Sequence, residues 1–295
     1  MIAVRLMGGL GNQMFQYALA RSLAIKNHTN PIMDMVFFDN IAEVDTPREY
    51  ELSCFNIKET FLPAAKRPQE NHEANYRGRK GSLRKIKHTL MGKAWSTYQE
   101  PHHNFDKNTL NKSNGAYLIG YWQTEKYFVD IRTELLKDFS FKAKPKPSNQ
   151  KILDQIKSSP SISLHVRRGD YVNNKNANKF HGTKGTEYYT KAINEIVKRK
   201  PANYTLFVFS DDIAWCKKNL KLSYPTVYVT GNKKGCEDMR LMMNCTHNII
   251  ANSSFSWWAA WLNQSPDKLV VGPKQWFNDP SVNTNDVLPS SWIKI

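Results

Sequence analysis

The segment SISLHVRRGDYV (161–172) runs from an alternating apolar stretch into His165, two arginines, a glycine and an aspartate. Arginine presents a planar, permanently charged fork that matches phosphate oxygens in pairs. Arg167 and Arg168 at a strand end therefore suit a diphosphate, and would stabilise the charge on a departing one. Asp170 would orient an arginine or accept a proton. The competing reading is an arginine–aspartate pair that staples the loop to the sheet. His165 precedes Arg167 by two residues and shares its face of the strand. A lone histidine at such a position commonly belongs to the core.

MGGLGNQMFQYA (7–18) is the second candidate. Glycines between a strand and a helix let backbone approach a ligand, and the helix N-terminus favours an anion. Gly11 and Asn12 stand at that turn, and the amides of Asn12 and Gln13 suit phosphate or sugar oxygens. As a dinucleotide fingerprint the segment fails, because Met14 holds the third glycine position. Asp34 nonetheless falls where a ribose-binding carboxylate would sit. A tight turn that packs the helix on its sheet is the plain alternative.

ANSSFSWWAAW (251–261) places Ser253, Ser254 and Ser256 at a strand-to-helix turn, where hydroxyls and backbone N–H groups face a phosphate or simply cap the helix. Trp257, Trp258 and Trp261 read as packing. FVFSDD and CEDM bring Asp211, Asp212, Glu237 and Asp238 to the same sheet edge. A carboxylate there can accept from guanine N1–H and N2–H, whereas Asp212 reads as a helix cap. Asp-x-Asp and HExxH are both absent, so no metal-dependent phosphate clamp is expected. The positive charge would come from the arginines and helix ends.

The elements that position these residues alternate. β-Rich runs occur at SISLHV, YTLFVFS, TVYVTG, NIIANS and KLVVGP, separated by helical stretches such as GTEYYTKAINEIVKRK and SFSWWAAWLN. This rhythm predicts parallel sheets covered on both faces, with ligands beyond the carboxyl ends of the strands. VRRGD, SDD and NSSFS all fall at such ends. The first half opens with the strand IAVRL, a helix MFQYALARSLAIKN and a strand PIMDMVFF. It is irregular to about residue 115, and then AYLIGYWQTEKYFVDIRTELLKDF restores a strand–loop–helix pattern. KAKPKPSNQ (142–150) reads as a linker. It divides the chain into domains 1–146 and 147–295.

Composition narrows the partners. Among 295 residues, 42 basic side chains against 26 acidic leave a formal charge of +16. Such an excess favours nucleic acid, an acidic membrane face or a phosphorylated small molecule. Cys54, Cys216, Cys236 and Cys245 form no CxxC pair and no zinc spacing, which predicts scattered buried thiols in a reducing compartment. The N-terminal residues lack a secretory pattern, and no apolar run approaches the roughly 20 residues needed to span a bilayer. A cytoplasmic location is expected. YRGRKGSLRKIKHTLMGK (76–93) is basic throughout, with Leu83, Ile86 and Leu90 on one helical face. It suits peripheral contact with the inner face of an anionic membrane, or an ordinary solvated surface. A nucleic-acid reading lacks the interleaved aromatic platform it needs, so no nucleic-acid partner is expected.

Read together, MGGLGNQMFQYALA, HVRRGDYV and NIIANSSFSWWAAWLN resemble the α-1,2-fucosyltransferases of glycosyltransferase family 11; GYWQTEKYF and FSDD fit the same pattern. The HxRRxD element is similar to one shared by other GDP-fucose users, so it marks the donor more than the linkage. The resemblance implies an α/β fold of GT-B type, with two Rossmann-like domains facing across a cleft. It implies metal-independent, inverting transfer of L-fucose from GDP-β-L-fucose to the 2-hydroxyl of a terminal galactose, with no cofactor. Fucosyl transfer of another linkage is the alternative. By the same likeness Arg167 and Arg168 hold the leaving group, with His165 beside them. Gly11 and Asn12 approach the diphosphate. Ser253, Ser254, Phe255 and Ser256 line the phosphate and nucleoside pocket, Asp238 reads guanine and Asp211 lies nearby. Tyr121, Trp122 and Gln123 are expected to contact the galactoside, and Asp170 is the expected base, with a residue of the other domain or no dedicated base as the alternatives. The region 55–110 matches no motif of the family, so acceptor preference is expected to reside there.

Overall fold

The computed structural model describes residues 1–39, 47–68, 95–169 and 182–295. Two parallel sheets organise them. The N-terminal sheet contains β1 (Ile2–Arg5), β2 (Pro31–Asp34), β3 (Ser96–Gln99) and β4 (Ala116–Ile119), in the order β2-β1-β4-β3. The C-terminal sheet contains β5 (Ser161–Val166), β6 (Thr205–Ser210), β7 (Thr226–Tyr228), β8 (His247–Ile249), β9 (Val270–Gly272) and β10 (Ile293–Lys294). Their order is β10-β9-β8-β5-β6-β7. All six residues of β5 are buried, as expected for a central strand covered on both faces. Its polar members are bonded accordingly: the Ser163 hydroxyl accepts from Asn248 Nδ2 at 2.7 Å.

The helices are α1 (Leu10–Lys26), α2 (Val36–Asp39), α3 (Arg132–Asp138), α4 (Pro147–Ser158), α5 (Thr186–Arg199), α6 (Ile213–Asn219), α7 (Gly235–Met242) and α8 (Ser254–Leu262). Three details depart from the sequence reading. The strand expected over PIMDMVFF stops at Asp34, whose Oδ1 accepts the Val36 N–H at 3.0 Å and turns the chain into α2. The expected linker is helical from Pro147, since a proline at the first helical position is pre-set for a helix and gives up only an unused N–H. The region read as irregular contains β3, a polar and largely exposed edge strand with no apolar alternation to betray it. The basic segment 76–93 lies outside the described residues.

The lobes meet along α1 and α8. α8 has buried residues at every position from Ser256 to Leu262, so it is apolar all round, as an internal helix must be. Its three tryptophans pack as the sequence suggested. Trp258 stacks on Phe128 at 5.2 Å and meets Phe15 at 5.1 Å and Phe139 at 5.1 Å. Phe15 lies 4.5 Å from Trp257. The indole N–H of Trp257 donates to Val287 O at 2.7 Å, and that of Trp261 donates to Glu125 Oε2 at 3.0 Å. One apolar core thus includes residues of both lobes. The four cysteines are free thiols. The thiols of Cys54 and Cys236 are electrostatic neighbours across the lobe junction.

Truncating Trp258 to alanine should cost about 3–5 kcal/mol, the usual toll for removing a buried large aromatic. Urea denaturation of wild type should show one cooperative transition, because the lobes share a core. Two separate transitions, with only one shifted by Trp258→Ala, would contradict this.

Candidate active site

A cleft of about 830 Å³ lies between the lobes, at the carboxyl ends of both sheets. The N-terminal lobe contributes Gly8 to Asn12 after β1, Arg48 and Glu51 after β2, His103 after β3, and Tyr121 and Gln123 after β4. The C-terminal lobe contributes His165 and Arg167 at β5, Ser210 and Asp211 at β6, and Asn232 and Asp238 after β7. It also supplies Ser253, Ser254 and Phe255 after β8, and Trp276 and Phe277 after β9. Sequence and structure therefore converge on one cavity.

The two arginines divide their work. Arg167 lines the cleft, and its Nη1 is 2.8 Å from Asp211 Oδ2. The other oxygen of Asp211 accepts the Arg168 N–H at 2.9 Å, so one carboxylate fixes both the guanidinium and the loop. Arg168 turns away from the cleft. Its guanidinium lies 3.9 Å from the centre of the Trp215 ring, and its Nε is 3.4 Å from Asp212 Oδ2. Asp212 also caps α6 by accepting the Trp215 N–H at 3.0 Å. Both arginines were expected at the ligand; of the two, Arg167 lines the cleft in this structure and Arg168 does not. Arg168 staples the loop, because stacking on Trp215 and pairing with Asp212 satisfy it there.

The helix N-termini also divide. The first turn of α1 was expected to attract a ligand anion, but the protein supplies its own. Glu51 Oε2 accepts the Leu10 N–H at 2.8 Å, and burial pushes the Glu51 carboxyl above its ordinary range. Gln13 is fully buried and structural: its Nε2 donates to Glu49 O at 2.7 Å, and its Oε1 accepts the Glu51 N–H at 2.9 Å. Asn12 does line the cleft, with its Oδ1 accepting from Gln123 Nε2 at 2.9 Å. Gly8 has φ +74°, and a side chain there would meet Asn12 Nδ2 at 2.5 Å. At α8, the N-cap residue Ser253 makes no side-chain capping bond. A helix start leaves N–H groups without intrahelical acceptors and carries the positive end of the dipole. Ser254 and Phe255 bring that end to the cleft. Ser256 does not reach it: the residue is buried, and its hydroxyl donates back to Ser253 O at 3.3 Å.

His165 is 5% exposed, and its Nδ1 has no hydrogen-bond partner among the described residues. Burial, reinforced by Arg167, pulls its pKa down to about 4, so the ring is neutral at physiological pH. A buried polar atom left open beside a cleft is a mark of a ligand site. Asp238 accepts from Asn232 Nδ2 at 2.7 Å, and burial raises its carboxyl above the usual carboxylate range. Glu237, by contrast, ties α7 to α4 by accepting from Asn149 Nδ2 at 2.9 Å.

Of the expected galactoside contacts, Tyr121 and Gln123 line the cleft and Trp122 does not. Trp122 adopts φ +56°, which sends its fully buried indole into the core, stacked on Tyr98 at 6.0 Å. Asp34 is equally occupied: its carboxylate accepts the Tyr117 hydroxyl and pairs with Arg67 Nε at 2.8 Å, which removes the ribose-binding alternative. Asp170 lies outside the described residues. Among the described residues, no cluster of three or more His, Cys, Asp or Glu side chains could hold a metal. No described helix is long and apolar enough to cross a membrane. Sequence reasoning missed Arg48, Glu51, His103, Asn232 and Phe277, which stand in stretches with no repeated pattern.

The family described as Glycosyl transferase family 11 matches residues 1–295. An alpha-1,2-colitosyltransferase of Escherichia coli is 33% identical over 100% of this chain and 98% of its own length. The galactoside 2-alpha-L-fucosyltransferase Sec1 of Mus musculus is 26% identical over 89% of this chain and 64% of its own. Among solved structures, a point mutant of Arabidopsis thaliana FUT1 in complex with GDP superposes with TM-score 0.52 at 10% identity, covering 99% of this chain and 75% of that one. The last likeness concerns the fold, which is of GT-B type.

Gly11 permits the lobes to close as they do. A Cβ on it would lie 2.4 Å from the Ser254 carbonyl carbon and 2.5 Å from Phe255 N. Gly11→Ala should therefore push α1 from α8 and lower stability by about 1–3 kcal/mol, the usual cost of overpacking. An unchanged urea midpoint would contradict this contact.

Proposed function

Because the chain belongs to glycosyl transferase family 11, we propose that it transfers L-fucose from GDP-β-L-fucose to the 2-hydroxyl of a terminal galactose, with inversion and without a metal. The observation that carries this reading is Arg167, held by Asp211 and sharing one cleft with the uncapped first turn of α8. A guanidinium and a helix N-terminus together supply the charge a diphosphate leaving group requires. The names of the mouse and Escherichia coli relatives, one fucosyl and one colitosyl, support transfer to a 2-hydroxyl.

In this reading the acceptor hydroxyl oxygen forms the new bond to the sugar's anomeric carbon as the bond to the phosphate oxygen breaks. The departing electron pair stays on GDP, where Arg167 and the N–H groups of Ser254 and Phe255 receive it. Asp238 accepts from the guanine edge, and neutral His165 lies beside Phe255 in the same cleft. Gln123, tied to Asn12, and Tyr121 orient the galactose. The acceptor proton goes to a base, for which Asp170 is the residue the family pattern suggests. A cytoplasmic enzyme that touches an anionic membrane through 76–93 is part of the same proposal, supported by the composition of that segment.

A second donor reading has its own support: the colitosyltransferase is the more similar of the two relatives, at 33% against 26%. The sugar carried on the nucleotide is then colitose rather than fucose, with the same linkage.

Incubation with GDP-fucose and lactose, followed by NMR assignment, should give an α-1,2 product; any other linkage contradicts the proposal. Arg167→Ala should lower kcat by about 10²–10³, the range seen when one charge-stabilising donor is removed, with circular dichroism unchanged. Full activity in that variant would displace Arg167 from the site. GDP affinity should be full above the raised pKa of Asp238 and fall as pH drops through it, because only the carboxylate accepts from guanine. Calorimetric titration across pH should show this loss in wild type and its absence in Asp238→Asn.

A further inference from the structure

The cleft has two distinguishable ends. In the N-terminal sheet β2 and β3 are the opposite edges, and in the C-terminal sheet β7 and β9 lie on opposite sides of β5. Glu51, after β2, faces the start of α7, after β7: a Cβ on Gly235 would lie 3.9 Å from Glu51 Oε1. His103, after β3, meets Phe277, after β9, with ring centroids 5.3 Å apart. The long axis therefore runs from a β2/β7 end to a β3/β9 end, with Arg167 and the start of α8 between them. Asp238 stands on the β7 side. If guanine lies there and the diphosphate in the middle, the transferred sugar and its acceptor lie toward His103 and Phe277.

Phe277 also borders a second depression, a groove of about 790 Å³, and so lines both cavities. Its walls include Tyr188, Lys274, Gln275, Asn283, Thr284 and Asn285. Amides and hydroxyls of this kind both donate and accept, as the hydroxyls of a sugar chain require. Where the two cavities adjoin, Phe277 of one lobe packs against His103 of the other, with ring centroids 5.3 Å apart. Burial and His102 lower the pKa of His103, so its ring is uncharged at neutral pH and presents a face suited to the C–H side of a pyranose.

We infer that the groove past His103 and Phe277 is an extension subsite that carries the inner sugars of an oligosaccharide acceptor whose terminal galactose sits in the cleft. This rests on the galactoside reading above. It assigns the enzyme a preference for long acceptors over disaccharides, with His103 gripping the sugar where the cavities adjoin.

The test compares acceptor KM for lactose and for a linear tetrasaccharide ending in the same galactose. In wild type the tetrasaccharide KM should be about tenfold lower, equivalent to about 1.4 kcal/mol of added binding. Lys274 and Gln275 are both exposed. The double variant Lys274→Ala/Gln275→Ala should bring the ratio of the two KM values close to one, with KM for GDP-fucose unchanged. His103→Ala should raise KM for the tetrasaccharide with little change in kcat, and His103→Phe should restore it. Equal KM values in wild type, or a ratio preserved in the double variant, would overturn the subsite alone. A fall in kcat without a rise in KM for His103→Ala would overturn the gripping role. Transfer to neither acceptor would overturn the galactoside reading together with the subsite.

Discussion

The contact between the first turns of α1 and α8 is the constraint on which the molecule depends. Gly11 lets the two backbones approach to a distance that no side chain would allow, and the aromatic cluster of Phe15, Phe128, Trp257 and Trp258 holds them there. Two-lobed proteins with small polar interfaces are expected to hinge. Here the lobes share an apolar core, which resists hinging, and the cleft is present without a ligand. Preorganised donors cost little reorganisation when charge develops, which is the condition electrostatic catalysis requires.

The same junction brings two positive helix ends to one cavity, and the chain treats them differently. Glu51 satisfies the first amide of α1, while the first turn of α8 is left without a side-chain cap beside Arg167. Of the two helix ends, the one in the C-terminal lobe is the one left without a side-chain acceptor. Asp211 steadies the arginine without occupying the cleft's other donors, and the neutral ring of His165 adds a polar atom without adding charge. One guanidinium of the RR pair lines the cleft and the other packs on Trp215 beside Asp212.

Much of this was legible in the sequence because it follows from period and punctuation. The βα rhythm, the buried SISLHV strand and the turn residues at strand ends marked where a site must lie, and Arg167, Asp211, Asp238 and Ser254 do line one cleft. What escaped was decided by tertiary neighbours. Arg168 and Arg167 are identical in type, and only Trp215 and Asp212 separate their fates. Trp122 looked like a sugar platform, but a left-handed backbone turns it inward. Glu51 and His103 belong to stretches without periodicity, and β3 is a polar edge strand, so none of them left a pattern to read.

The central claim is that the diphosphate of a nucleotide sugar rests between Arg167 and the first turn of α8, with its base toward Asp238. A crystal structure of the protein with GDP tests it most directly. The account predicts phosphate oxygens within hydrogen-bond distance of the Arg167 guanidinium and the N–H groups of Ser254 and Phe255. Phosphates seated elsewhere, out of reach of both Arg167 and the start of α8, would contradict it.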